Sequence, residues 1–366
     1  MTQRALPCTI MRGGTSKGLY FSSAVLPSDV QQRDRVLLAA MGSPHSQQID
    51  GMGGGHPLTS KVAIVGPPSR NDADVDYLFL QVVVDKAEVS DGQNCGNLLA
   101  GVAQFAVDQG LVNADKHRTS VRIHMVNTRS IAVAHISTPD GQPNYAGDAS
   151  IDGVPGTAAP VWLDFEDVAG SSCGALFPTG SHMDEINGVE VSCVDNGMPV
   201  VVICARDVGK TGLETPDELE ADERLKEQLE AIRLTAGERM NLGDVRHKTV
   251  PKMCLVSRPV GNGVISTRTF IPHRVHKSIG VLGAASVAAV CAIPGTVTDG
   301  IANVDTQIAD LDMDIEHPTG YLTVGIGLGR TAGDVDITRT TLLRTARKLM
   351  SGEVYIPESC WPLGAQ

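Results

Sequence analysis

Aromatic side chains are scarce in this 366-residue chain: two Trp, five Tyr and six Phe make up 4% of it. A core built from such a sequence must be filled by β-branched, alanine and leucine side chains, and its 39 glycines allow tight turns and close backbone approaches. Positive charge is short as well. Thirty Lys and Arg face 42 Asp and Glu, a formal net charge of -12, which argues against the broad basic face that a nucleic-acid partner requires. A small anionic substrate stays allowed, because a few local cations reverse the field inside one cleft. No apolar run of about 20 residues is present to span a bilayer. The opening MTQRALPCTIMRGG has neither the apolar stretch nor the small-residue cleavage pattern of a signal peptide. Eight scattered cysteines form no C-x-x-C pair and no Cys/His cluster, so the expected setting is a cytoplasm with reduced thiols and no structural disulfide.

What is present begins with length. A chain of this size exceeds what one compact core usually serves, so two domains are expected, 1–184 and 185–366, with the final helix and strand free to pack back on the first. Period-two alternation and β-branched content predict strands at LPCTIMR, TSKVAIVG, VDYLFLQVVV, VRIHMVN and SIAVAHIST. SDVQQRDRVLLAAMGS reads as a helix capped by Ser28 and ended by Gly42. LLAGVAQFAVDQGLV reads as a second helix, closing near Asp108 to Gly110. The second half repeats the theme. Strands at VEVSCVDNGMPVVVICARDVG, MCLVSR and GVISTRTF surround a charged surface helix within PDELEADERLKEQLEAIRLTAGERMNLG, and a small-residue apolar helix follows IPHRVHKS. TTLLRTARKLMSG reads as a late helix, with VYIP as a closing strand.

Three Gly-rich polar passages lie in the first half. In SDGQNCGNLLAGV a thiol, Cys95, stands where a helix should start. The unpaired N–H groups and the dipole of a helix N-terminus favour an incoming carboxylate and lower the pKa of a thiol. Gly96 permits close approach, and Asn94 and Asn97 can orient an anion. A Cys buried as a small hydrophobe in an Asn-Gly turn is the alternative. In GMGGGHPLTSKVAIVG, Gly53 to Gly55 suit an anion-binding loop and Lys61 is a cation or proton donor; the order is not that of a Walker A sequence. MRGGTSKG offers Arg12, Ser16 and Lys17 beside a double glycine that bends the backbone. In the second half, Arg268 can balance another carboxylate. His273, His276 and Lys277 sit before the apolar helix without an acidic ligand at metal-site spacing. Asp314, Glu316 and His317 suit a polar strand end as well as a metal.

The passages MRGGTSKG, GMGGGHPLTSKVAIVG, DVDYLFLQVVV, NCGNLLAGVAQFAV and IDGVPGTAAP, with GALFPTG, GKTGLETPDEL, FIPHRVH and SGEVYIP later on, resemble the PrpF-like isomerases. The likeness covers almost the whole chain. It implies an α+β, diaminopimelate-epimerase-like fold: two similar β-barrel-like domains, each around a central helix, with the active site in the interdomain cleft. It further implies a cofactor-independent proton shift with no metal, Cys95 and Lys61 carrying the proton and the order of their action left open. Ser16, Asn94, Gly96 and Asn97 become contacts for substrate oxygen atoms, with Arg268 and His276 added from the opposite wall. His276 and Lys277 stand where a symmetric epimerase would carry a second thiol, a departure that argues against racemisation. The implied substrate is the polycarboxylate 4-oxalomesaconate, formed in gallate breakdown; aconitate or 2-methylaconitate isomerisation and a polycarboxylate-binding accessory role are the alternatives. Neither nucleic acid nor membrane is an expected partner, and a homodimer is compatible with the sequence.

Overall fold

The computed structural model describes residues 3–92, 95–166, 168–331 and 334–362. The chain divides into two compact units, residues 1–164 with 344–366, and residues 165–343. Each is an α+β unit in which one sheet carries helices on its faces.

In the first unit the strands are β1 (Gln3–Gly13), β2 (Ser16–Ser22), β3 (Lys61–Gly66), β4 (Val75–Val82), β5 (Val89–Ser90), β6 (Arg118–Met125), β7 (Ser130–Ser137) and β8 (Pro160–Phe165). They pair in the order β1-β2-β3-β4-β6-β7-β8, with β5 on β4. Alternation sorts their side chains. Leu19 and Phe21, Val62 and Ile64, and Leu80 and Val82 form one apolar layer with Val36, Leu37, Ala40 and Met41 of helix α1 (Val30–Met41). The opposite parity carries Ser16, Gly18 and Tyr20 on β2, Lys61 and Ala63 on β3, and Tyr77, Phe79 and Gln81 on β4. Helices α2 (Gly96–Leu99) and α3 (Val102–Asp108) cover this side; α2 packs on β1 and β2, and α3 on β3, β6 and β7. Helix α1 is capped by Asp29, not Ser28: its side chain accepts from the Gln32 amide at 2.8 Å. Gly42 closes it in the left-handed region.

The second unit repeats the plan with β9 (Asp184–Ile186), β10 (Val189–Asp195), β11 (Pro199–Cys204), β12 (Lys252–Ser257), β13 (Ile265–Phe270), β14 (Asp310–His317) and β15 (Gly320–Thr331). A short helix, α4 (Pro216–Glu220), starts with a capping box between Thr215 and Glu218. The long charged helix α5 (Glu223–Arg239) is amphipathic, and its Leu225, Leu229, Ile232 and Ala236 pack on Val191, Val201, Ile203, Met253 and Leu255 of the sheet. Helix α6 (Val281–Ala292) is buried throughout its last ten residues and packs on β10, β11, β14 and β15. Val200 and Val202, on the alternate parity of β11, are buried too, so the sheet is covered on both faces.

The late helix read from TTLLRTARKLMSG is overturned. Asp334–Pro357 is one 24-residue strand, β16. Its N-terminal part pairs with β15 from Val324↔Leu342 to Thr331↔Asp334. Its C-terminal part pairs with β1 from Gln3↔Pro357 to Gly13↔Ala346, and β8 also neighbours it. Leu342, Leu349 and Met350 stand at helical spacing, but strand partners distant in sequence, on β15 and β1, draw this segment into the sheet. Among the described residues, no helix is long and apolar enough to cross a membrane.

Candidate active site

Two of the three Gly-rich passages meet in the first unit. The β1–β2 turn lies directly on the first turn of α2. A Cβ at Gly13 would stand 2.4 Å from the Asn97 carbonyl oxygen, and one at Gly14, where φ is +50°, 2.2 Å from the Asn97 side-chain oxygen. Only glycine fits these two positions. The Asn97 amide Nδ2 then donates to Thr15 Oγ1 at 3.0 Å, tying helix to turn. From the other side Arg12 Nη1 donates to the carbonyls of Gly14 and Thr345, both at 2.9 Å, and the Gly14 N–H donates to the same Thr345 oxygen. The turn is held from both flanks.

Ser16 follows that turn. It is 2% exposed, and its hydroxyl has no hydrogen-bond partner among the described residues. A buried hydroxyl left in that state costs about 1–3 kcal/mol, so such a group calls for a partner.

Cys95 is the N-cap residue of α2 and 8% exposed. Its carbonyl accepts from the Leu99 N–H and from Tyr77 Oη, each at 3.1 Å. Tyr20 Oη donates to the Leu98 carbonyl at 2.5 Å, and the Gly101 N–H shares that acceptor. Both tyrosines are fully buried, and burial above all, then the nearby Cys95, raises their pKa values well above the ordinary tyrosine value. They serve as neutral donors that grip the backbone carrying the thiol.

The long helix expected after NCGN is therefore corrected to two pieces. Tyr20 takes the carbonyl that would continue the helix, the bonds at Ala100 and Gly101 tighten to a three-residue reach, and a Cβ at Gly101 would lie 2.6 Å from Tyr20 Oη. A four-residue helix has little macrodipole, so anion binding at its start depends on individual donors and not on an axial field. Gly96 and Asn97 open α2 as expected. Asn94 lies outside the described residues.

Lys61 opens β3 on the same sheet face and is 7% exposed. Its register partners are Gly18 on β2 and Gln81 on β4. A Cβ at Gly18 would meet the Lys61 carbonyl oxygen at 2.5 Å and Leu98 Cδ2 at 2.9 Å, so only one small residue separates the lysine backbone from α2. The ammonium donates to Gln81 Oε1 at 3.0 Å and sits 4.8 Å from the centroid of the Phe79 ring. One face of β4 thus touches both candidate groups: Tyr77 holds the Cys95 carbonyl, and Phe79 and Gln81 hold the Lys61 ammonium. Residues two apart on one strand face are about 7 Å apart, which sets the scale of the site.

The glycines of GMGGG do not form an open anion cradle. They pack around Gln48, which is 1% exposed. A Cβ at Gly53 would fall 2.1 Å from Gln48 Oε1, the Gly55 N–H donates to that oxygen at 3.0 Å, and a Cβ at Gly54 would run into Thr59. Gln48 Nε2 donates to Ser60 Oγ at 2.7 Å, next to Lys61. The loop's glycines serve the placement of that lysine.

In the second unit, Arg268 lies on β13 and is largely buried. Its Nε donates to the Glu214 carbonyl at 2.6 Å and its Nη1 to the Thr267 carbonyl at 2.8 Å. The His276 N–H donates to the Thr269 carbonyl at 2.8 Å, and its Nδ1 accepts from the Ser278 N–H at 2.9 Å. Burial lowers its pKa below the usual histidine value, so the ring is neutral at pH 7 with its proton on Nε2. His273 Nδ1 lies 3.6 Å from Glu230 of α5. Glu316 accepts from the N–H groups of Val260, Gly261 and Gly263, a structural use of that carboxylate. Among the described residues no three His, Cys, Asp or Glu side chains group as metal ligands.

Sequence reasoning passed over Tyr20, Tyr77, Phe79, Gln81 and Gln48. A signal was there: in VDYLFLQVVV the alternation that marks a buried strand face runs Tyr77, Phe79, Gln81, and a polar amide at the end of an aromatic row asks for a partner.

The family model for the PrpF protein matches residues 3–357. The chain is 57% identical over 362 residues to the 4-oxalomesaconate tautomerase of Pseudomonas putida, covering 99% of both chains. It is 56% identical over 350 residues to the (4E)-oxalomesaconate Delta-isomerase of a Novosphingobium species, covering 96% of this chain and 97% of that one. The crystal structure of a methylitaconate-delta-isomerase superposes with a TM-score of 0.89 at 35% identity, over 100% of this chain and 99% of the other.

Proposed function

This chain belongs to the PrpF family, and from that premise we propose that it is a cofactor-independent isomerase acting on an unsaturated tricarboxylic acid, with 4-oxalomesaconate as the substrate. A base takes an acidic proton from carbon, the electron pair spreads over the conjugated carbonyl and carboxylate groups as a dienolate, and a proton returned elsewhere completes the shift. No electron leaves or enters the substrate. Cys95 and Lys61 divide the two transfers. The group that does not take the first proton is the acid that returns one, and the lysine in its ammonium form also stabilises the dienolate charge.

The observation that carries this reading is the Ser16 hydroxyl, buried and without a partner among the described residues, beside the turn that Asn97 ties to the Cys95 helix. A substrate carboxylate or carbonyl oxygen supplies its missing partner. The backbone donors of Gly96 and Asn97 suit the same oxygen atoms, and Asn94 is assigned there by family motif. Arg268 and His276 are proposed as further substrate contacts. A donor that strengthens its bond as charge develops contributes about 3–4 kcal/mol to the rate. A barrel-like wrapping of the first sheet around α2 and α3 is part of this reading, supported by the pairing of β1 with both β2 and β16.

The test is Cys95→Ala, followed by the ultraviolet change that accompanies tautomerisation and by solvent-deuterium incorporation. Turnover is expected to fall by two orders of magnitude or more, by about the same reasoning, with the fold intact. Full turnover in that variant would reject the thiol's role. Faster turnover of cis- or trans-aconitate or of methylaconitate than of 4-oxalomesaconate would reject the substrate while leaving the proton shift. Tight binding without deuterium exchange would reject catalysis.

A further inference from the structure

Lys61 makes its side-chain hydrogen bond to a neutral amide, an unusual choice where a carboxylate would fix a buried ammonium more strongly. We propose that Gln81 is a positioning residue for Lys61, setting both the direction of the ammonium and the ease with which it gives up its proton; this rests on the reading that Lys61 transfers one.

The amide can point only one way. Gln81 Nε2 donates to the Ser60 carbonyl at 2.8 Å and to the Pro57 carbonyl at 3.1 Å, which uses both of its N–H bonds and turns Oε1 toward Lys61 Nζ. The Ser60 carbonyl is itself held. Ser60 Oγ donates to the Val82 carbonyl and receives Gln48 Nε2, both at 2.7 Å, and the Val82 N–H returns to the Ser60 carbonyl at 3.1 Å. A chain of hydrogen bonds therefore runs from the buried Gln48 through Ser60 and Gln81 to the lysine. Phe79, one step along the same strand face, lies against the ammonium and confines it from a second direction.

The choice of an amide has a chemical consequence. A carboxylate at this place would hold the proton on the amine; a neutral oxygen orients the amine and leaves it able to lose and regain that proton. Gln81 accepts one of the three N–H bonds of the ammonium, and the other two stay available for Phe79 and the substrate.

The experiment compares Gln81→Glu with Gln81→Met in the full chain. Both lose the donors to Ser60 and Pro57, so both loosen the loop; they differ in what faces Lys61, a charged acceptor in the one and no acceptor in the other. Gln81→Glu is expected to move one limb of the kcat–pH profile upward by about one unit or more, because a carboxylate within hydrogen-bond reach favours the charged amine. Gln81→Met is expected to move the same limb downward and to lower kcat by about a hundredfold through misplacement, with KM changed far less. Should either fail to fold by thermal melting, Gln81→Asn keeps the amide one methylene short of the lysine and is expected to lower kcat alone. Equal loss in both variants with unmoved limbs would reduce Gln81 to a loop tether and overturn the proposal, as would unchanged kcat in both. A fully active Lys61→Met would instead remove the reading on which it rests, a separate result.

Discussion

Ser16 separates a structural from a functional account through two measurements on one variant. Its buried hydroxyl has no partner among the described residues, so Ser16→Ala removes an unsatisfied polar group and is expected to leave the thermal midpoint unchanged or slightly raised. The same variant is expected to lose about a hundredfold in kcat/KM, since a donor to the substrate is gone. A drop in stability with unchanged activity would mean the hydroxyl serves the fold. Gly13 is the converse case. Gly13→Ala would drive a Cβ into the Asn97 carbonyl, which is backbone and cannot swing aside. Both stability and turnover are expected to fall, read by urea denaturation and the tautomerisation assay, because the displaced turn carries Ser16 with it.

Elements rank differently from residues in how far local sequence defines them. Helix α1 is marked at both ends, by Asp29 and Gly42, and α4 by its capping box; such signals act within one turn of chain. The alternating strands of the first half are equally plain. β16 and the α2–α3 break are not, because their causes are distant. Strand β1 lies more than 300 residues from its partner in β16, and Tyr20 breaks the helix at Leu98 from 78 residues away. The loop that carries Gln48 lies between these cases, since its bonds to Ser43, Gly55 and Ser60 span 5, 7 and 12 residues. Replacing Gln48 by Leu leaves the Gly55 N–H without its acceptor and removes the donor to Ser60 Oγ, which keeps only its own bond to the Val82 carbonyl, and is expected to cost about 1–3 kcal/mol in urea denaturation. No loss of stability would show that the glycines alone hold the loop.

Across the whole molecule one plan is used twice: a sheet with a small-residue apolar helix on one face and an amphipathic helix on the other. Stability carries one legible pH signature. Asp195, at the end of β10, is fully buried; one oxygen accepts from the N–H groups of Ser172 and Cys173, and the other has no partner among the described residues. Burial outweighs those bonds and raises its pKa above the ordinary aspartate value. A carboxyl whose folded value is raised binds its proton more tightly in the native state. Its contribution is therefore full below the unfolded value and is lost as pH climbs through the folded one. Asp195→Asn keeps the acceptor and removes the charge. Its stability advantage over the parent is expected to grow between pH 4 and pH 7 in urea melts; an advantage that shrinks with rising pH would contradict the assignment.

By itself the sequence determined the family, the two-part plan and the alternating strands of the first half, and it singled out Cys95 and Lys61 as candidates, since each rests on short motifs or on periodicity along a few residues of chain. Tertiary structure alone decided that MRGGTSKG and NCGN touch, that GMGGG closes on a glutamine instead of an anion, that Gln81 aims the lysine, and that the C-terminal segment is a strand. The Gln48 bond to Gly55 spans only seven residues, but its meaning depends on burial; in the other three cases the deciding bond joins residues 20 or more apart, and no local propensity encodes a partner that only the folded sheet brings within about 3 Å.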